Sequence, residues 1–110
     1  MKTITVDGVE YVEKGTELPV VDVETAPYSI GSNYLIRTVT HTYTGKLIWV
    51  GEKELVLDTC AWIADSGRWE HAVKNGTFDE VEPMGDGKVI GRGTLVDASK
   101  VDWKLPTEQK

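Results

Sequence analysis

Arg37 and His41 are two side chains with binding chemistry in the β-branched run that extends from Tyr34 to Val50. An arginine offers a planar fork of N–H donors to a phosphate or a carboxylate. Alternate residues of an extended strand share a face, so both side chains are predicted on the face of Leu35 and Val39. Two interpretations remain open: the pair is neutralised or solvated at a contact between subunits, or it lines a binding cleft for an anion.

The segment from Trp62 to Trp69 is a second candidate, because two tryptophans bracket the turn before a predicted helix. Arg68 falls in the first turn of that helix, where backbone amides and a guanidinium group attract anions. A tryptophan face can stack on a nucleobase, or it can pack the helix onto a sheet. Trp62, Arg68 and Trp69 are therefore predicted ligand contacts, with packing as the alternative for both tryptophans.

Arg92 is the third candidate, since it stands between Gly91 and Gly93. Glycines without side chains let a backbone approach a ligand closely. A β-bulge explains the same two glycines equally well. Arg92 completes the predicted ligand-binding set, which also contains Arg37, His41, Trp62, Arg68 and Trp69.

Catalytic and metal chemistry have little support in the sequence. It contains no nucleophile elbow, phosphate-binding loop, zinc-protease helix or paired cysteine motif. His41, His71, Asp58 and Cys60 lack the spacing of a metal site. Cys60 is the only cysteine, which excludes an intrachain disulfide, and it is expected to be a small buried hydrophobe. We expect a protein that is not an enzyme, with no catalytic residue, metal or cofactor; a small enzyme acting on nucleotides is a further alternative.

The elements that must position these residues are mainly strands. The run from Tyr34 to Val50 is longer than a usual strand and is predicted to bend at Gly45, so that one strand serves two walls of a barrel. A turn at 51–54 leads to a returning strand at 55–58. The predicted fold class is mainly β: a small Sm-like or SH3-like barrel with an N-terminal β-hairpin and one short inserted helix.

The inserted helix is predicted over residues 66–75. Asp65 or Ser66 can cap its first amides, and Gly76 can end it in a left-handed conformation. Its apolar face comprises Trp69, Ala72 and Val73.

The chain divides into four predicted regions. Residues 1–14 form an N-terminal hairpin around Asp7-Gly8, a dipeptide typical of tight hairpin turns. Residues 15–33, with two prolines and two glycines, form an extended connection. Residues 34–105 form the barrel body, with a turn at 85–87 and short strands at 88–90 and 94–96. Residues 106–110 are a tail, expected to be loose beyond Trp103.

Length and charge limit the function classes. A chain of 110 residues is expected to form one domain. A formal net charge of −6 argues against a general binder of duplex nucleic acid or of an anionic membrane. No signal peptide or long apolar run is recognisable, so a cytoplasmic protein is expected. Exposed strand edges favour a homo-oligomer.

Two segments resemble the motifs of Sm-like small barrels. Tyr43–Leu47 followed by Leu55–Asp58 is similar to their first motif, a strand that bends at a glycine and returns. Val89–Val96 is similar to their second motif, which carries an Arg-Gly turn. The resemblance covers about a third of the chain and implies a ring-forming barrel that holds nucleotides at its loops. Gly51–Glu54 replaces the residues that grip RNA bases in that family, so RNA chaperone activity is not implied.

Three longer segments resemble a family of small proteins of uncharacterised function that phages and prophages encode: Tyr34–Gly45, Trp62–Trp69 and Gly91–Ala98. That resemblance implies a viral protein acting in the cytoplasm of a bacterial host. Together with the arginines and tryptophans, it suggests a non-enzymatic ligand-binding protein whose partner is an anionic, nucleotide-like small molecule, sequestered as a signal of host defence. The alternative is a phage structural or assembly protein that packs as a homo-oligomeric ring or shell.

Overall fold

The computed structural model describes residues 27–110, and the predicted hairpin at 1–14 lies outside this range, as does most of the predicted connection. The described chain contains six strands, one α-helix and one 3-10 turn. In chain order these are β1 (Asn33–Thr38), β2 (Thr42–Val50), β3 (Glu54–Asp65), α1 (Trp69–Asn75), β4 (Glu80–Gly85), β5 (Lys88–Gly91), the 3-10 turn (Arg92–Thr94) and β6 (Leu95–Val101).

The strands form a single antiparallel sheet in the order β4-β3-β2-β1-β6, with β5 paired to β3 outside this path. The first part of β3 pairs with β5, and its second part pairs with β4. Through β5, the paired strands also form the series β6-β1-β2-β3-β5. The 3-10 turn connects β5 to β6 along the chain and so links the two ends of this series. The amide of Val39, which directly follows β1, donates to the Thr94 carbonyl in this 3-10 turn at 2.9 Å. The prediction of a mainly β small barrel with one short helix is confirmed.

The prediction of one long strand from Tyr34 to Val50 is wrong, because a hairpin turn divides it into β1 and β2. The Thr38 amide donates to the His41 carbonyl at 2.7 Å, and the His41 amide donates to the Thr38 hydroxyl at 2.9 Å. A threonine hydroxyl that bonds the backbone in this way stabilises a turn without glycine or proline. Gly45 lies inside β2, where a Cβ atom would come within 2.8 Å of the Leu57 Cβ. It therefore lets β2 and β3 approach closely.

Two hydrophobic clusters cover the two faces of β1, which explains why Tyr34, Leu35 and Ile36 are all buried. The barrel interior contains Tyr34, Ile36, Leu47, Val50, Leu55, Leu57, Cys60 and Ile90. The outer cluster, beneath α1, contains Leu35, Ala61, Ile63, Ala72, Phe78 and Val81. Successive residues of β1 point to opposite faces, so interior and outer side chains alternate along it.

The helix begins later than predicted, at Trp69, and neither Asp65 nor Ser66 caps it. The Asp65 carboxylate instead accepts a hydrogen bond from the Gly67 amide at 2.9 Å, which makes a turn before the helix. The end is as predicted: Gly76 has φ of 69° and its amide donates to the Ala72 carbonyl. The predicted apolar face is confirmed, since Ala72 is buried and Trp69 and Val73 pack against the outer cluster.

The expectation of a loose tail beyond Trp103 is wrong. The Trp103 indole donates to the Val73 carbonyl at 2.9 Å, and Leu105 is buried. Lys110 and Val81 exchange two backbone hydrogen bonds of 3.0 and 3.1 Å. The end of the chain therefore pairs with the outer edge of β4.

The turn at 85–87 is confirmed, and side chains attach it to a bend in β3. The Thr59 amide donates to the Asp86 carboxylate at 2.8 Å, and the Gly87 amide donates to the Asp58 carboxylate at 2.9 Å. Thr59 has φ of 50°, in the left-handed region. This bend lies where β3 changes its partner from β5 to β4, and the reciprocal bonds fix the chain just before Lys88.

Candidate ligand-binding site

Three aromatic side chains lie together at the turn between β1 and β2. The rings of His41 and Tyr43 are parallel within 9°, with centroids 5.8 Å apart. The Trp62 ring lies 5.7 Å from His41 at an angle of 55°. Tyr43 is the register partner of both Ile36 and Trp62, so the three rings belong to the face that continues the barrel interior. We call His41, Tyr43 and Trp62 the aromatic cluster.

Lys88 brings a positive charge to the aromatic cluster. It is the register partner of Leu57, an interior residue, and so projects from the same face. Its ammonium nitrogen lies 5.6 Å from the centroid of the Tyr43 ring, a distance at which the ring quadrupole attracts a cation. Among residues 27–110 it forms no ion pair, so its charge is available to an anionic ligand.

An open depression of about 190 Å³ adjoins this group. Its walls come from the β1–β2 turn, from β5 and from the 3-10 turn, and comprise Thr38, Thr40, His41, Tyr43, Lys88, Val89, Ile90, Gly91 and Thr94. A Cβ atom on Gly91 would meet no other atom within 4 Å, so there the backbone itself faces open space. The depression can accept a small planar group beside the cation.

The turn that carries His41 also orients its ring. The Thr40 hydroxyl lies 2.7 Å from His41 Nδ1, where it donates or accepts according to the histidine tautomer. This contact leaves Nε2 as the ring nitrogen that can meet a ligand. An acidic residue shares the same face, because Glu82 on β4 is the register partner of Trp62. Anion binding is therefore favoured on the Lys88 side of the aromatic cluster.

Arg37 lies on the opposite face of β1 from this group, because its neighbour Ile36 is interior. Its guanidinium binds the Asp97 carboxylate through Nε and a terminal nitrogen, and it lies 4.5 Å from the centroid of the Trp69 ring. The hydrogen bond to Asp97 raises the pKa of Arg37, and the bond from Arg37 lowers the pKa of Asp97. Arg37 is thus paired, as one interpretation predicted, but within the chain.

Arg68 and Arg92 also lie apart from the aromatic cluster. Arg68 is exposed at the start of α1, where its carbonyl accepts from the amides of His71 and Ala72. Arg92 donates from its guanidinium to the Gly51 carbonyl at 2.6 Å and lies 5.6 Å from the Tyr28 ring. The structure thus brings together His41 and Trp62 of the predicted set, whereas the other four residues occupy other places.

Tyr43 and Lys88 were missed by sequence reasoning. In one continuous strand, Tyr43 lies an even number of residues from Arg37 and would share its face. The hairpin instead makes Tyr43 the register partner of Ile36 and moves it to the face of Ile36. The Thr38 hydroxyl stabilises this turn, but threonine and valine are also typical of strands, so the residues around Val39 gave no distinct signal for it. Lys88 has no local signal either, since its position depends on the pairing of β5 with β3.

No protein-family model, curated protein or solved structure matches this chain. Within residues 27–110, no group of three or more histidine, cysteine, aspartate or glutamate side chains is arranged to hold a metal ion. In the same part of the chain, no helix is long and apolar enough to cross a membrane.

Proposed function

We propose that this chain is a non-enzymatic protein that binds a small, planar anion of the nucleotide type at the aromatic cluster and Lys88. The observation that carries the proposal is an exposed Trp62 beside His41 and Tyr43, with an ammonium group against the same tyrosine. The Trp62 side chain is 39% exposed, so its ring offers a free surface to a ligand.

The energetics suit a modest but specific affinity. Stacking of one base on an aromatic side chain contributes about 1–3 kcal/mol. A hydrogen bond to a charged group contributes about 1.5–3 kcal/mol. Their sum is about 2.5–6 kcal/mol, which corresponds to dissociation constants from roughly ten millimolar to tens of micromolar, so binding is to be measured at ligand concentrations up to tens of millimolar.

The biological role that we propose is the sequestration of a nucleotide-derived signal of host defence in a bacterial cytoplasm. The support is the resemblance to phage and prophage proteins, combined with a site that stacks and neutralises a ligand. Such a protein binds its ligand reversibly, lowers the free ligand concentration when the protein is present above the dissociation constant, and releases the ligand chemically unchanged.

The proposal is tested by calorimetry and thermal shift with the common nucleotides on the wild type and on Trp62→Leu. Trp49→Leu is the matched control, because Trp49 is also exposed, at 49%, and pairs with Val56 instead of with the aromatic cluster. We expect ligands to raise the melting temperature of the wild type and of Trp49→Leu but not of Trp62→Leu. Mass spectrometry of the released ligand checks that no reaction has occurred. Equal binding by both variants contradicts the proposed site, and a chemically altered ligand contradicts the non-enzymatic role.

The second candidate is a structural or assembly component of a phage particle, packed as a homo-oligomer. The observation in its favour is that, within residues 27–110, β6 pairs only with β1, while Val96 on β6 is 60% exposed. An unpaired edge with an exposed valine is a surface for another strand. Light scattering on the wild type, Val96→Lys and the control Val96→Thr distinguishes the candidates. A ring or shell that Val96→Lys alone dissociates supports assembly, and a monomeric wild type contradicts it.

A further inference from the structure

We infer that the ligand of this site is a mononucleotide with one phosphate, either open or cyclic, and not a polyphosphate or a dinucleotide. The inference rests on the proposed function and assigns its ligand class. It follows from the number of cations at the aromatic cluster, from the size of the depression and from the position of Lys88.

Within residues 27–110, one lysine supplies the fixed positive charge at the depression. Arg37 faces away and is bound to Asp97, and the Arg92 guanidinium is directed to the Gly51 carbonyl. The chain as a whole carries a formal net charge of −6, so each further phosphate brings repulsion without a matching cation. One phosphate, with a charge of −1 when cyclic and about −1.5 to −2 when open, is the anionic group closest to the single positive charge of Lys88.

The depression, at about 190 Å³, is smaller than the roughly 300–1,000 Å³ that is usual for sites of drug-sized ligands. Trp62 is the one exposed tryptophan of the aromatic cluster. His41 is also exposed, but it is stacked on Tyr43 and tilted against Trp62, so Trp62 is the main stacking platform. A second base of a dinucleotide would lie beyond this platform. The size of the depression, the stacking surface of the aromatic cluster and the single charge of Lys88 thus all fit a ligand with one ring system and one anionic group.

Lys88 is then the residue that distinguishes a nucleotide from its nucleoside. The base can stack on Trp62 with or without a phosphate, because stacking needs no charge. The ammonium group contributes only when an anion is present, and a charge-assisted hydrogen bond corresponds to roughly tenfold or more in affinity. Loss of Lys88 is therefore expected to lower the affinity for monophosphates selectively.

The experiment measures dissociation constants by calorimetry for the four common nucleosides, their 5′-monophosphates and 5′-triphosphates, and dinucleotides such as pApA. Metal-free buffer at constant ionic strength prevents divalent cations from neutralising the phosphates and keeps the screening equal for all probes. The variants are wild type, Lys88→Gln and the control Lys74→Gln, which alters an exposed lysine on α1 paired with Glu70. For at least one base we expect the monophosphate to bind roughly tenfold more tightly than the nucleoside and at least as tightly as the triphosphate. Lys88→Gln removes this preference and Lys74→Gln keeps it.

The outcomes separate the two proposals. If triphosphates or dinucleotides bind more tightly than monophosphates, or if Lys88→Gln weakens nucleosides as much as monophosphates, the ligand class is wrong while the proposed site stands. If no probe binds the wild type at concentrations up to tens of millimolar, both the ligand class and the proposed function are wrong. Circular dichroism of each variant checks that the fold is retained.

Discussion

Arg37 on β1 and Asp97 on β6 are direct register partners, and the guanidinium holds the carboxylate through Nε at 3.0 Å and through a terminal nitrogen. The Trp69 ring covers the same guanidinium, so the contact joins β1, β6 and α1. The next residue, Thr38, lies beyond a shift of register between β1 and β6. The ion pair therefore fixes the pairing of the two strands just before their ladder becomes irregular.

The first prediction concerns this ion pair. Asp97→Asn is expected to lower the free energy of unfolding by about 0.5–1 kcal/mol near pH 6, a small value because both side chains are 41% exposed. Arg37 lowers the pKa of Asp97 below its ordinary value of 3.8. The ion pair therefore contributes to the free energy of unfolding in full above pH 3.8. This contribution is lost as the pH falls through the lower pKa that Asp97 has in the folded state. Urea unfolding of both proteins between pH 6 and pH 2.5 measures the difference, which is expected to shrink below pH 3.8.

Arg37→Gln is the matched test of the partner. We expect a similar loss of stability, and the double variant with Asp97→Asn is expected to lose less than the sum of the single losses. Nucleotide affinity is expected to stay unchanged in Arg37→Gln, because Arg37 faces away from the aromatic cluster. A variant with unchanged stability and abolished binding would show instead that Arg37 contacts the ligand.

The second prediction concerns Gly76, where two separate constraints meet. Its φ of 69° disfavours any residue with a Cβ atom, and such an atom would come within 2.5 Å of the Trp103 ring. Gly76→Ala is expected to lower the free energy of unfolding by about 2–3 kcal/mol. Gly87→Ala is the control, since Gly87 has a similar φ of 77° but open space around its Cβ position, and a loss of about 1 kcal/mol is expected. Equal losses in chemical denaturation would show that Trp103 does not restrict the site.

The third prediction concerns Thr59, a β-branched residue with φ of 50°. The left-handed conformation costs a residue with a side chain roughly 1–2 kcal/mol, while glycine adopts it freely but loses more entropy on folding. Thr59→Gly is expected to raise the free energy of unfolding by about 0.5–1 kcal/mol, whereas the near-isosteric Thr59→Val is expected to bring no gain. Thermal unfolding of the two variants decides this, and a destabilised Thr59→Gly would show that the threonine side chain stabilises the bend.

Local chemistry explains which parts of the fold could be predicted from the sequence. The turns at 51–54 and 85–87 and the helix end at Gly76 depend on glycine and neighbouring polar residues, which act over a few positions. The alternation of apolar residues indicated strands and a mainly β fold. Whether a segment forms a helix or a strand could therefore be predicted from the sequence, whereas boundaries such as the start of α1 could not.

Non-local pairing explains what could not be predicted. The hairpin at Thr38–His41 contains no glycine or proline, so its threonines and Val39 look like a continuous strand. β4 contains Pro83 and two glutamates, which disfavour a strand, yet its place at the side of the sheet tolerates the proline. The candidate site shows the same division. His41 and Trp62 could be selected from the sequence by residue type, whereas Tyr43 and Lys88 join them only through the register of the sheet.

The last prediction concerns Cys60, whose side chain lies in the barrel interior with 1% exposure. Burial raises the pKa of its thiol from 9.0 to about 11, although the charge of Lys88 opposes part of this effect. Only the thiolate reacts with iodoacetamide, so at pH 8 a shift of this size alone slows labelling about a hundredfold, and burial slows it further. Mass spectrometry of samples labelled in buffer and in urea measures the ratio of the labelling rates of the folded and the unfolded protein.

The raised pKa of Cys60 also contributes to the alkaline stability of the barrel. As the pH rises, the thiol of the unfolded chain loses its proton before the thiol of the folded chain does. The neutral thiol therefore contributes fully to the free energy of unfolding below pH 9, and this contribution is lost as the pH rises from 9 towards 11. Cys60→Ala is the control, because it removes the titrating group and leaves a small apolar side chain. Its stability is expected to decline less than that of the wild type over this range. Rapid labelling of the native protein at pH 8, or identical alkaline profiles for the two proteins, would contradict a buried neutral thiol at this position.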